Sequence, residues 1–106
     1  MASIFDTAKY ILESSGPVSP IRLQKLCYYS QAWSLAWDKK PLFDEFFDIC
    51  AIGPICVDLL KETYKNTLAD RDDIEGNSDN LSTEQKETIN LVLNHYGKYN
   101  STGKEV

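Results

Sequence analysis

Apolar residues fall at Ile4, Phe5, Ala8, Ile11 and Leu12, a spacing that puts them on one face of a helix. Ser3 precedes them as a capping hydroxyl and Gly16-Pro17 stops the run, which predicts a first helix over about residues 3–14. Ser19-Pro20 opens the next, with proline at the first helical position, where its missing N–H costs nothing. This second helix is expected to run over about residues 20–38. Leu26, Tyr29, Trp33 and Trp37 share one of its faces, and Ile21, Tyr28, Ala32 and Leu35 fill another. Only Gln24 and Gln31 remain as a narrow polar stripe. A helix apolar on most sides is expected to be the buried centre of its domain.

Lys39-Lys40-Pro41 ends that helix, with two cations at the negative end of its dipole. Residues 42–52 are rich in Phe and Ile without a helical stripe, and suit an extended segment or a short hairpin. Gly53-Pro54 is then read as the start of a helix from Pro54 to about Lys65, with Ile55, Leu59, Leu60 and Tyr64 facing inward. Residues 66–80 form a polar loop in which Leu68 and Ile74 are placed to tuck against the core. At about 15 residues it exceeds ordinary connections, so it is either mobile or functional. Ser82-Thr-Glu-Gln85 is a capping box for a last helix, whose inward stripe is Ile89, Val92, Leu93 and Tyr96 and whose stop is Gly97. These elements describe one mainly α domain, a compact helical bundle around residues 20–38 that spans 1–97. Residues 98–106 are expected to fray as a tail.

Length and charge narrow the function. A chain of 106 residues holds one domain. Its apolar runs are too short to span a bilayer, and no basic-then-apolar leader opens it, which points to the cytoplasm. A net charge of −5 opposes both nucleic acid and an anionic membrane surface. Cys27, Cys50 and Cys56 are odd in number with no CxxC, and read as reduced thiols rather than a disulfide framework.

The chemistry-bearing residues do not assemble into a reaction centre. His95 is the single histidine, so neither a zinc cluster nor a Cys–His nucleophile has its partners, and its place near a helix end is accounted for by the dipole. Asp70, Asp72 and Asp79 lack the EF-hand order, and the five glycines never cluster into a phosphate loop. No cofactor, no metal and no catalytic residue are expected. A helix-turn-helix reading has the right layout, with Arg22 and Lys25 early in the second helix, but the remaining surface of that helix is aromatic rather than polar. Phe43, Phe46 and Phe47 stand outside regular helix, and three aromatics so close together are the best candidates for an exposed apolar patch.

One resemblance covers nearly the whole chain. The run from Ile21 through Leu23-Gln24-Lys25-Leu26-Cys27-Tyr28-Tyr29-Ser30-Gln31-Ala32-Trp33 to Ala36, then Lys40-Pro-Leu-Phe-Asp-Glu45 and Ile52-Gly53-Pro54-Ile55, resembles the Panacea domain family. Leu81-Ser82-x-x-Gln85 and Tyr96-Gly97 match its later segment, while Ser34, Cys50 and Val57 depart from its commonest residues. The resemblance implies an antitoxin, found in bacteria or phages, that neutralises a cognate protein toxin encoded beside it. At least one relative acts as an adaptor that delivers its toxin to a cytosolic protease. It implies no enzyme activity. Gln24, Tyr29, Trp33, Gly53 and Pro54 are expected to hold the fold, with Gln24 and Gln31 bonding backbone or loop groups. Toxin contacts are expected at Phe46, Phe47 and the polar edge near Gln31.

Overall fold

A computed structural model describes residues 2–96. Four α-helices and one two-stranded antiparallel sheet follow in the order α1 (Ile4–Ser15), α2 (Pro20–Trp37), β1 (Asp48–Cys50), β2 (Gly53–Ile55), α3 (Val57–Thr63) and α4 (Thr83–Tyr96). The protein is mainly α, as its periodicity predicts. Gly97 and the 98–106 tail lie outside the described residues.

Helix starts follow their caps. Ser3 and Asp6 form a reciprocal box at α1, and Ser19 accepts from the Arg22 N–H at α2. Ser82 and Gln85 do the same before α4, with the Ser82 N–H donating to Gln85 Oε1 at 2.8 Å. Arg22 closes the far end of α4 by donating to the Tyr96 carbonyl at 2.7 Å. Helices α1, α2 and α4 touch pairwise, and α3 lies on α2. Ile4, Ile11, Leu23, Leu26, Leu42, Phe43, Leu59, Ile89 and Val92 fill the space between them.

Helix α2 does touch most other elements, but it is not apolar and buried on most sides. Its buried face carries Leu23, Gln24, Leu26, Cys27, Ser30 and Ser34, whereas Ile21, Tyr28, Leu35 and Trp37 are exposed. The polar stripe of Gln24 and Gln31 points inward, and its amides bond backbone groups of the following segment as expected. The second correction is at Gly53-Pro54. These residues form β2, and the third helix begins only at Val57 with no side-chain cap at Cys56. Leu59 is buried as expected, but Tyr64 is exposed.

The 66–80 loop is tied down throughout the length in which it crosses α1. Two 3-10 turns, Arg71–Asp73 and Ser78–Asn80, shape it. Lys9 Nζ donates to the carbonyls of Arg71 at 2.7 Å and Ile74 at 3.0 Å. Asp6 accepts from the Asn77 N–H at 2.8 Å. Ile74 is buried, but Leu68 is not. Its neighbour Ala69 is buried instead and exchanges backbone bonds with Val18.

Candidate functional site

The segment between α2 and α3 is clamped at both ends by α2. Gln31 sits one heptad beyond Gln24, so both amides leave the same side of the helix. At one end, the Leu42 N–H donates to Gln31 Oε1 at 2.7 Å and Gln31 Nε2 donates to the Phe43 carbonyl at 2.9 Å. Ser34 Oγ adds a bond to the Lys40 carbonyl at 2.7 Å. At the other end, the Cys56 N–H donates to Gln24 Oε1 at 2.8 Å and Gln24 Nε2 donates back to the Cys56 carbonyl at 3.1 Å. Each glutamine satisfies one backbone donor and one acceptor, as a neighbouring strand would. Glu45 fastens the segment to α1 as well, accepting from the Ile4 N–H at 3.0 Å.

Between the clamps, residues 48–55 form a hairpin whose tip is the two-residue loop Ala51-Ile52. Gly53 completes the tip at φ 121°, a conformation open to glycine, and Lys25 passes over it. The hairpin presents apolar side chains to solvent. Phe46 is 88% exposed, Ile49 75% and Ile52 56%, with Val57 beside them at 47%. A cleft of about 310 Å³ runs between Phe46 and Val57, and Asp44, Asp48 and Asp58 line it with Glu45. An apolar surface with a carboxylate rim therefore stands on a rigid mount.

The predicted contact residues separate. Phe46 projects fully into solvent. Phe47 is half-buried, packed edge-on to Tyr28 at 5.4 Å and against the buried Phe43 at 6.0 Å. Gln31 has its oxygen and its nitrogen committed to the loop backbone, so it builds the mount. Tyr29 and Trp33 lie half-buried against the core, Tyr29 stacked on Tyr96 at 4.2 Å and Trp33 5.8 Å from the same ring. Gly53 and Pro54 are the inner strand of the hairpin. Ile49, Ile52 and Val57 were not among the residues picked from the sequence. They lie in three different elements, β1, the turn and the start of α3, so no single periodicity in the sequence marks them as one surface.

Reactive groups elsewhere are quiet. Burial pushes the Cys27 thiol far above its ordinary value, and the neighbouring Cys56 adds to this. Burial also raises the Cys56 thiol, against backbone hydrogen bonds from Leu59 and Asp58. Cys50 is exposed at the hairpin. Among the described residues no His, Cys, Asp or Glu cluster has metal-site geometry, and no helix is long and apolar enough to cross a membrane. A second cleft of about 300 Å³ lies between the end of α2 and the start of α4. Several of its polar groups are engaged within the fold: Ser34 bonds the Lys40 carbonyl, Ser82 pairs with Gln85, and Asp38 accepts from Thr88 at 3.2 Å.

A family model described as "Antitoxin SocA-like, Panacea domain" matches residues 23–103. The match takes in well over half of the chain, which belongs to that family. It includes both glutamines, the hairpin and α4. No curated protein and no solved structure matches.

Proposed function

We propose that this protein is an antitoxin that neutralises a cognate protein toxin by binding it directly, without a reaction of its own, and that the 46–57 hairpin surface makes the contact. Family membership is the observation that carries the antitoxin reading. The surface follows from physics. An exposed apolar group costs free energy unless a partner covers it. Here several such groups project from a hairpin held by four glutamine bonds to the backbone. A preorganised surface loses little entropy on association.

The cytoplasm is the compartment this reading assigns to the protein, where it would meet the product of a neighbouring gene as both are made. Delivery of the toxin to a protease remains a variant of the same binding step. A DNA-binding role has less support, because Arg22 is spent on the Tyr96 carbonyl and Lys25 lies over Gly53.

The test is expression with the product of the adjacent gene. Growth arrest by that product alone, relieved by this chain in a complex that co-purifies, is the expected outcome. Relief accompanied by disappearance of the toxin assigns the chain to proteolytic delivery. A harmless neighbour that never co-purifies contradicts the antitoxin reading.

A further inference from the structure

Pro54 determines which backbone groups of the hairpin face outward. In an antiparallel pair, opposite residues either exchange both N–H···O bonds or turn both backbone groups away from each other. Pro54 stands opposite Ile49 and has no N–H to exchange. That pair is therefore the non-bonded kind, and the flanking pairs Asp48–Ile55 and Cys50–Gly53 are the bonded kind. The N–H and C=O of Ile49 point out of the free edge of β1. Outside the hairpin ladder, no hydrogen bond among the described residues involves them.

The two edges of this hairpin are not equivalent. β2 lies against α2 and lacks a donor at Pro54, the usual protection of an edge strand. Among the described residues nothing covers β1, which carries no proline and has all three of its residues exposed. The cleft walled by Phe46 and Val57, with the carboxylates of Asp44, Asp48 and Asp58, opens at the base of this hairpin, and Asp48 belongs to both the cleft and β1. A second copy of this chain is a poor occupant. It would bring a second Asp48 and another net charge of −5 against the first.

Resting on the antitoxin reading above, we propose that the toxin binds by adding an extended strand to β1, and that this strand is cationic. Its backbone pairs with the outward N–H and C=O of Ile49. An apolar side chain of the strand covers Phe46, and flanking Lys or Arg side chains meet Asp44 and Asp48. This is β-strand addition, in which main-chain bonds supply affinity and side-chain pockets supply specificity.

The probe is the adjacent gene's product, shown to arrest growth when expressed alone. Ile49→Pro deletes the outward N–H without removing any bond of the hairpin ladder, whereas Ile49→Ala keeps that N–H and only shortens the side chain. Ile49→Pro is expected to weaken binding roughly 10-fold more than Ile49→Ala, with circular dichroism and thermal unfolding unchanged. Hydrogen exchange on the wild-type protein needs no variant: complex formation should slow exchange of the Ile49 amide by about 100-fold or more. Asp44→Asn, Asp48→Asn and Asp58→Asn together should flatten the salt dependence of association.

A wild-type complex in which the Ile49 amide stays unprotected and Ile49→Pro binds like Ile49→Ala overturns strand addition and leaves the antitoxin reading standing. A wild-type dimer that Ile49→Pro dissolves gives the edge to a second copy and overturns the cationic strand. A neighbour that arrests growth but is neither bound nor relieved overturns the antitoxin reading, and the strand proposal with it.

Discussion

Gln24 is fully buried, and its side chain does the work of a peptide group. The Cys56 N–H depends on it, while the Cys56 carbonyl also accepts from the Leu60 N–H at 3.0 Å; a buried donor left without a partner costs about 1–3 kcal/mol. Gln24→Ala should therefore destabilise the fold by roughly 1–3 kcal/mol, read as a lower urea midpoint at unchanged slope. Gln31→Ala, at a half-buried position, should cost less. The thiols give a second residue-level prediction. The thiolate is the nucleophile, and burial suppresses it at Cys27 and Cys56. Iodoacetamide should label Cys50 alone in the native protein, and the other two only after unfolding. Labelling of Cys27 at a rate similar to Cys50 would mean that the α2 face is not closed. Hydrophobic periodicity reads a glutamine on a helix as solvent-facing. It cannot register that a loop without strand neighbours needs side-chain donors and acceptors; the family resemblance is what sets Gln24 and Gln31 against backbone groups, while periodicity puts Trp37 and Leu35 on faces that stay exposed.

At the scale of elements, most boundaries were legible because they rest on local chemistry. Ser3, Ser19-Pro20 and Ser82 with Gln85 mark helix starts wherever they occur. Gly53-Pro54 was ambiguous for the same reason. Proline suits the first turn of a helix and also the covered edge of a two-stranded hairpin, and only pairing with β1 decides between them. The 66–80 loop offers two tests of its attachment to α1. A Cβ on Gly76 would lie 2.3 Å from the Phe5 carbonyl oxygen, so Gly76→Ala must displace the loop or the helix. A loss of about 1–3 kcal/mol in thermal or urea unfolding is expected.

Asp6 makes the same attachment pH-dependent. Burial raises its pKa, but the N–H groups of Asn77 and Ser3, with Asn80 and the Ser3 hydroxyl, outweigh that and hold it below the ordinary carboxylate value. A lowered folded pKa means that the contribution is fully present above the unfolded value near 3.9 and is lost as pH falls through the folded value. The acid limb of the stability curve should be shallower in Asp6→Asn than in the wild type. Equal slopes would show that Asp6 is not what couples the loop to α1.

Across the described residues, seven aromatic side chains form one connected band rather than a second core. It passes from Phe43 and Phe47 at the base of the hairpin through Tyr28, Tyr29 and Tyr96 to Trp33 and Trp37. This band braces the hairpin against α2 and α4, so the exposed side chains of the tip are carried by a stiff body. The overall charge of −5 adds long-range steering toward a basic partner. Association with the toxin should slow as ionic strength rises, while dissociation changes less. The central claim is that the exposed apolar side chains of the 46–57 surface supply the binding energy. Calorimetry of the toxin with the wild type and with the Phe46→Ala, Ile52→Ala double variant tests it most directly. Both side chains project into solvent, so the variant should unfold at the wild-type temperature yet bind roughly 30-fold or more weakly, the loss typical of a central anchor. A double variant that binds as tightly as the wild type would place the interface elsewhere on the molecule.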